Sequence, residues 1–243
     1  MITLDEKMMT YQERIDALRE TKIEHTALKM KQRGYFDIDA HGCIPWSEPI
    51  PFKAKPNHPS GGCYGAKAIG ENFRAWLEVH PTYIHPMSAL AGAWINVSPP
   101  GVGGWKPEDR PTHLSPIHQK YNIQSTGIGA MNHFGPDMKI GLDLGWGGLL
   151  EKIRYYRDLN RPADTSFYDG EEALVLGIQA WISNHVDKAR EMAENEDNPQ
   201  IRENLLDIAD MNEWLIDNPP RTLRDACQFL AWFQSVDRMW AAG

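Results

Sequence analysis

Two consecutive prolines, Pro219 and Pro220, stand between a helix-closing Asp217-Asn218 and a helix-opening Thr222, and they constrain this chain more than any other stretch. Proline lacks the backbone N–H and its ring clashes with the preceding turn, so a helix arriving from the Ile201, Leu205, Ile208, Met211, Leu215 stripe has to stop. Thr222 and Asp225 then form T-x-x-D, a variant of the capping box in which an acid at the third helical position faces back to the cap. Behind that cap Leu223, Cys227, Leu230, Ala231 and Trp232 read as an apolar face. The expectation is a helix, an abrupt corner and a second helix entering a core, its apolar face, Cys227 included, buried against strands beyond Gly243.

The remainder is predicted to be mostly α. Tyr11, Ile15, Leu18, Lys22 and His25 recur at helical intervals and predict a helix over 4–33, stopped by Gly34. Seven Pro and Gly positions between Pro45 and Gly62 predict a long loop over 35–66. A short amphipathic helix is expected over 71–80, then an extended segment with a buried end over 81–97, then loop over 98–126. A helix with Gly141, Gly145, Gly147 and Gly148 follows. Each of these glycines costs roughly 1 kcal/mol against alanine, which makes sense where backbones pack closely. Asp164 or Thr165 is expected to cap a helix running to about Glu196, with Leu174, Ile178, Trp181, Ile182, His185, Ala189 and Met192 on one face. Pro199 sits where a first-turn proline is tolerated.

Composition bounds the function. The 243 residues carry a formal net charge of −8, which argues against a general nucleic-acid partner. No stretch approaches a membrane span, and the charged N-terminus lacks the apolar core of a signal peptide. Three cysteines, an odd number without C-x-x-C spacing, point to a reducing cytoplasm. The chain stops at Trp240-Ala241-Ala242-Gly243 with its last helix still apolar, so a piece of a longer chain is expected.

Chemistry is harder to read. His41, Cys43, His58 and Cys63 share one loop, but their spacing fits no common zinc site, and His113 and His118 lack the i, i+4 pairing of a helical site, so no metal is expected. No G-x-S-x-G elbow or phosphate loop occurs. Cys227 reads as a small hydrophobe, and Glu171-Glu172 and Glu194 with Glu196 as solvated helix faces. His133 is the strongest candidate, because it lies in a Gly/Pro turn opening a helix whose N-terminus can hold a polar or anionic group. Asn132 and Asp137 flank it.

Three stretches carry a family likeness. Asn218-Pro219-Pro220-Arg221-Thr222, followed by Arg224, Ala226 and Gln228, resembles an N-P-P-x-T-x-x-E-A-x-Q corner, with Asp225 for Glu. His133, Pro136, Asp137, Leu142, Gly145, Gly148 and Leu149 resemble G-H-x-x-P-D-Y-x-x-x-L-x-x-G-x-x-G-L, with Asn132 for the Gly and Met138 for the aromatic. A weaker third anchor joins the helix from Thr165, with Phe167-Tyr168, to Ala75–Ala93, where Gly92-Ala93-Trp94 stands in place of G-N-Q. The chain resembles the pyruvate formate-lyase domain of glycyl radical enzymes, in the glycerol and diol dehydratase branch.

That resemblance implies the N-terminal helical part of an α/β ten-stranded barrel, over 1–243: a helix plus Pro/Gly-rich loop (1–70), a pocket-wall segment (71–160) and helical hairpins (161–243). It implies cleavage of a C–O, C–C, C–N or C–S bond of a small polar substrate by a cysteine thiyl. The radical originates on a glycine and is installed by an iron–sulfur S-adenosylmethionine activase; no cofactor is bound directly. The complete enzyme is expected to be a homodimer, with His133, Asn132 and Asp137 near the substrate. None of the three cysteines has the C-x-E pattern and no radical glycine loop occurs, so the implied catalytic residues are not in this chain and activity alone is not expected. The alternative is a non-catalytic helical binding or scaffold protein derived from the family.

Overall fold

A computed structural model of the chain describes residues 9–33, 43–95, 106–122 and 136–241. Among them run seven α-helices: α1 (Tyr11–Arg33), α2 (Ala66–Val79), α3 (Ser115–Lys120), α4 (Met138–Asn160), α5 (Ser166–Glu194), α6 (Pro199–Leu215) and α7 (Leu223–Ala241). Two short strands, β1 (Cys43–Ile44) and β2 (Trp94–Ile95), pair in parallel. The expectation of a mostly α chain holds.

Local chemistry sets the ends of the helices. α1 begins at Tyr11, where Thr10 and Glu13 form a capping box: Glu13 N–H donates to Thr10 Oγ1, and Thr10 N–H donates to Glu13 Oε2 at 2.7 Å; residues 4–8 of the expected helix lie outside the described residues. α2 begins five residues before the expected Glu71, directly after Gly65, whose φ of 82° other residues rarely adopt. Asp164 Oδ1 accepts from Ser166 N–H at the start of α5, and Asn198 caps α6 ahead of Pro199. The stretch expected as loop over 98–126 contains two 3₁₀ turns, Pro107–Asp109 and Thr112–Leu114, besides α3.

α5 is the central element. Its apolar side chains are buried along nearly its whole length, with α2 on one side, α6 on another and α4 along its first half. Trp76, Leu77, Trp181, Ile182, Leu205, Ile208, Phe229 and Trp232 form the heart of the core. α2 and α5 cross backbone to backbone: a methyl on Gly70 would sit 2.2 Å from the Gly170 carbonyl oxygen.

The glycines of α4 explain themselves in the same way. Gly145 interrupts the helix with φ 64° and ψ 179°, and the kink receives the proline corner. A methyl on Gly145 would meet the Asn218 carbonyl carbon at 2.4 Å, and one on Gly147 would meet the Asp217 carbonyl oxygen at 2.2 Å. Gly141 faces the Phe229 ring. Gly148 meets only Leu144 of its own helix, so close packing does not account for it.

Of the apolar face expected on α7, Trp232 packs inside the described residues. Cys227 is exposed and Leu223 is 82% exposed, whereas Asp225, Gln228, Phe229, Trp232, Ser235, Val236 and Met239 are buried. The inward stripe is the neighbouring one on the helix, polar groups included.

Candidate functional site

The residues best placed to act together surround the extended segment between α2 and β2. His80 through Ile95 runs past four helices, and its backbone is held by their side chains. His185 Nε2 on α5 accepts from Tyr83 N–H at 3.1 Å. Asn204 on α6 donates to the Pro86 and Ser88 carbonyls at 2.9 and 2.8 Å. The Arg14 guanidinium on α1 donates to Met87 O, and Arg224 Nε on α7 donates to Ala89 O at 2.9 Å. Gln228 makes both bonds of a strand partner with Ala91, accepting from its N–H at 2.8 Å and donating to its carbonyl at 2.9 Å. A segment without a sheet neighbour on this side thus has its backbone groups satisfied by side chains, as burial demands.

Beneath the segment lies an aromatic cluster. His80 packs edge-on to Trp76 and Trp181, and His185 packs edge-on to Trp181 and Trp232, with ring centroids 4.8–5.7 Å apart. Each histidine donates from Nδ1 to a carbonyl, Pro81 for His80 and Trp181 for His185, and accepts at Nε2 from a backbone N–H, Ile95 and Tyr83 respectively. That pattern requires the neutral ring. Burial pushes both down to about 4, against the opposing pull of those carbonyl acceptors. The pair therefore serves as neutral connectors.

The corner is more than a stop. Asp225 accepts from Arg221 N–H at 3.0 Å and from Thr222 Oγ1 at 2.8 Å, while Asp225 N–H donates to Thr222 Oγ1. The acid reaches the N–H of the residue before the cap instead of the cap's own, and it binds the Arg221 guanidinium as well. Burial works against ionisation of Asp225, but the Arg221 backbone and side chain and Thr222 outweigh it and hold the carboxyl below its usual range. Parts of the three stretches that carried the sequence likeness meet here: α4 kinks onto Asp217-Asn218, and Gln228 grips Ala91 beside Gly92. Gly92 has φ 93°, and a methyl there would lie 2.3 Å from the Trp232 ring.

A sequence model described as pyruvate formate lyase-like matches residues 118–239, half of the chain. The chain belongs to the pyruvate formate lyase-like family.

No curated protein sequence matches this family member. Among solved structures it is similar to the glycerol-bound B12-independent glycerol dehydratase of Clostridium butyricum, with TM-score 0.62, 13% identity, and 97% of this chain and 35% of that one covered. It is also similar to a glycyl radical enzyme of Archaeoglobus fulgidus (TM-score 0.59, 18% identity, 93% and 34% covered). A third is the hydroxyproline dehydratase of Clostridioides difficile (TM-score 0.52, 15% identity, 95% and 34% covered). The fold is therefore the helical part of the glycyl radical enzyme fold, and the chain spans about a third of the length of these enzymes.

Of the residues expected at the substrate, Asn132 and His133 lie outside the described residues. Asp137 is exposed and caps α4, accepting from Lys139 N–H at 3.1 Å. Of the zinc-type candidates, His41 lies outside the described residues and Cys43 is in β1. Cys63 is buried and donates to Lys55 O, and His58 faces Ser60 and Glu108. No three metal-binding side chains gather among the described residues. Nor, among them, is any helix long and apolar enough to cross a membrane.

Two carboxylates correct the expectation of a solvated face. Glu172 pairs with Arg154 and Arg157 at 2.8 and 2.6 Å, while Glu171 is half-buried and lines an apolar cleft. Asn204, Arg224 and Gln228 were not singled out as a clamp on the segment. The signal available was the corner motif itself, whose Arg224 and Gln228 stand one helical turn apart on the side that faces the segment.

Proposed function

We propose that this chain forms the helical wall of a glycyl radical enzyme that cleaves a bond of a small polar substrate by thiyl-radical hydrogen abstraction. The observation that carries the reading is the pyruvate formate lyase-like match over 118–239. C–O cleavage is favoured among the four bond types, because the neighbours include a glycerol dehydratase, a hydroxyproline dehydratase and a structure concerned with 1,2-propanediol dehydration. The catalytic cysteine and radical glycine belong to the part of the fold outside these residues. Residues 1–70 bring a helix and a Pro/Gly-rich loop, 71–160 a pocket-wall segment, and 161–243 helical hairpins. The clamp supports this reading, since a wall of a radical site has to hold its segments still and keep water out.

In this reading His133 and Asn132 contact substrate at the opening of α4, and Asp137 orients that opening as its cap. An iron–sulfur S-adenosylmethionine activase installs the glycyl radical, the complete enzyme is a cytoplasmic homodimer, and neither nucleic acid nor membrane is a partner. The test is electron paramagnetic resonance of the native gene product, isolated anaerobically and activated, with and without a diol. A glycyl radical that supports substrate turnover is expected. In that enzyme His133→Ala should lower turnover far more than melting temperature. A product that never carries the radical overturns the reading.

A further inference from the structure

α1 is held to the rest of the described residues by polar contacts rather than by apolar burial. Tyr11, Ile23, Leu28 and Met30 are exposed, Ile15 and Leu18 are only partly covered, and the one buried residue described in α1 is Lys29. Its contacts gather on a turn of the extended segment, His85–Ser88, closed by Ser88 N–H donating to His85 O at 2.9 Å. The Arg14 guanidinium donates to Met87 O from Nε at 3.2 Å and from Nη2 at 2.8 Å, and Thr21 Oγ1 lies 3.0 Å from His85 Nε2. One turn further along α1, His25 meets the Tyr83 ring edge-on with centroids 5.8 Å apart. At the start of α1, Met9 N–H donates to Gln200 Oε1 of α6 at 2.7 Å. A helix docked with so little hydrocarbon behind it depends on the state of those few polar groups.

His85 sets that state. Its Nδ1 accepts from the Met87 N–H at 3.1 Å, so the ring is neutral, its proton sits on Nε2, and Nε2–H donates to Thr21 Oγ1. A second proton on Nδ1 would meet the Met87 N–H donor against donor, and Met87 is the residue whose carbonyl Arg14 holds. Both grips of α1 on the turn therefore pass through one ring and one residue. The other side of the turn is held separately, by Asn204 of α6 on the Pro86 and Ser88 carbonyls.

The surroundings give a protonated ring no carboxylate partner among the described residues. On α1, Lys29 and Lys22 act against a charge on His25, and only Glu24 acts for it. Glu203 and Asp207 of α6 line a pocket of 360 Å³ beside Pro86 and Met87, together with Arg14 of α1 and Arg224 of α7. Asp207 is paired with Arg224. On the segment side stands Tyr83, raised by burial, whose N–H is taken by His185 of α5. Burial pushes His85 below its ordinary 6.5, and burial followed by Lys29 does the same to His25, which His85 itself also lowers.

We propose that α1 is an acid-released strap: protonation of His85, joined by His25, frees α1 from the His85–Ser88 turn and opens the pocket beside Met87, while α6 and α7 keep their hold on the segment. The device belongs to this chain's own residues and does not rest on the enzyme reading.

The test is hydrogen exchange read by mass spectrometry on the 243-residue chain between pH 7.5 and 5.5, with each rate divided by its intrinsic value at that pH. Below pH 6.5 the released population should grow by up to about tenfold per pH unit for each histidine that titrates. Peptides of α1 are expected to lose protection while those of α5 and α6 keep theirs. His85→Asn, whose Oδ1 can still accept from the Met87 N–H but takes up no proton, should reduce the pH slope by about one proton. Adding His25→Gln should remove the slope. Protection of α1 that stays constant to pH 5.5, that falls together with α5 and α6, or that keeps its full pH dependence in the double variant overturns the proposal. Should the variants fail to fold, nuclear magnetic resonance titration of the histidine ring protons in the unaltered chain decides. A His85 that titrates at or above 6.5 overturns the proposal, and one that titrates below it, alongside the selective loss of α1 protection, upholds it.

Discussion

The carboxamide of Gln228 meets both backbone groups of Ala91, 137 residues earlier in the chain, and both residues are buried. One side chain therefore does the work of a paired strand, at the point where α7 leaves the proline corner and the extended segment turns toward β2. Removing it leaves a buried N–H and a buried carbonyl without partners. Gln228→Ala should destabilise the chain by about 2–5 kcal/mol, from the unsatisfied pair and the vacated volume together. Urea unfolding measures this, and a loss below about 0.5 kcal/mol would mean that the segment is held elsewhere.

Gly147 offers a test in which two effects have opposite sign. Helix propensity alone favours Gly147→Ala by roughly 1 kcal/mol. The methyl, however, would stand 2.2 Å from the Asp217 carbonyl oxygen, and backbone cannot move aside as a flexible side chain can. Gly147→Ala should therefore destabilise, by about 1–3 kcal/mol after relaxation. A stabilised variant would show that α4 does not seat the corner.

Acid should weaken the fold through His80 and His185. Both fall from an ordinary 6.5 to about 4 in the folded chain, so the unfolded chain takes up their protons first as pH drops. Their contribution is complete above pH 6.5 and is lost progressively as pH falls toward 4, by up to about 3 kcal/mol for each. Glu171 and Asp237 work in the opposite direction, since their raised values make protonation easier in the folded state. Urea midpoints between pH 7.5 and 4.5 read the balance. His80→Gln should flatten the profile by about one proton, and a profile already flat in the unaltered chain contradicts the neutral assignment.

The cysteines should separate by reactivity. Cys227 is exposed, whereas Cys63 is buried, donates to Lys55 O and is pushed up by that burial. A disulfide reagent should modify Cys227 within minutes in the native chain and reach Cys63 only on unfolding. In the complete enzyme Cys227 should become protected if the outer stripe of α7 packs against the rest of the fold. Equal rates for the two thiols would contradict the orientation of α7.

The inward face of α7 shows where sequence reasoning loses its grip. Leu223, Cys227, Leu230, Ala231 and Trp232 read as one apolar stripe, of which Trp232 is buried, while Asp225, Gln228, Phe229 and Val236 form a second stripe beside it that is buried throughout. The second turns inward because Asp225 finds Arg221 and Thr222, and Gln228 finds Ala91, so burial leaves neither polar group unsatisfied. No spacing in the sequence ties residue 228 to residue 91.

What the sequence determined by itself was local. Helix stops at the paired prolines, the cap at Thr222, the Pro199 first turn, the stripes on α5 and α6 and the family likeness all depend on residues within a few positions of each other. Close packing behind Gly145 and Gly147 was legible as a cost needing a reason, though its partner was not. Only the tertiary structure decided that this partner is the Asp217-Asn218 corner, that Asn204, Arg224 and Gln228 hold the 80–95 segment, and that Glu171 faces an apolar cleft while Glu172 meets two arginines. The physical reason is common to all three. A buried polar group or a missing side chain acquires meaning from whatever the fold places within about 3 Å of it, and that neighbour lies far away along the chain.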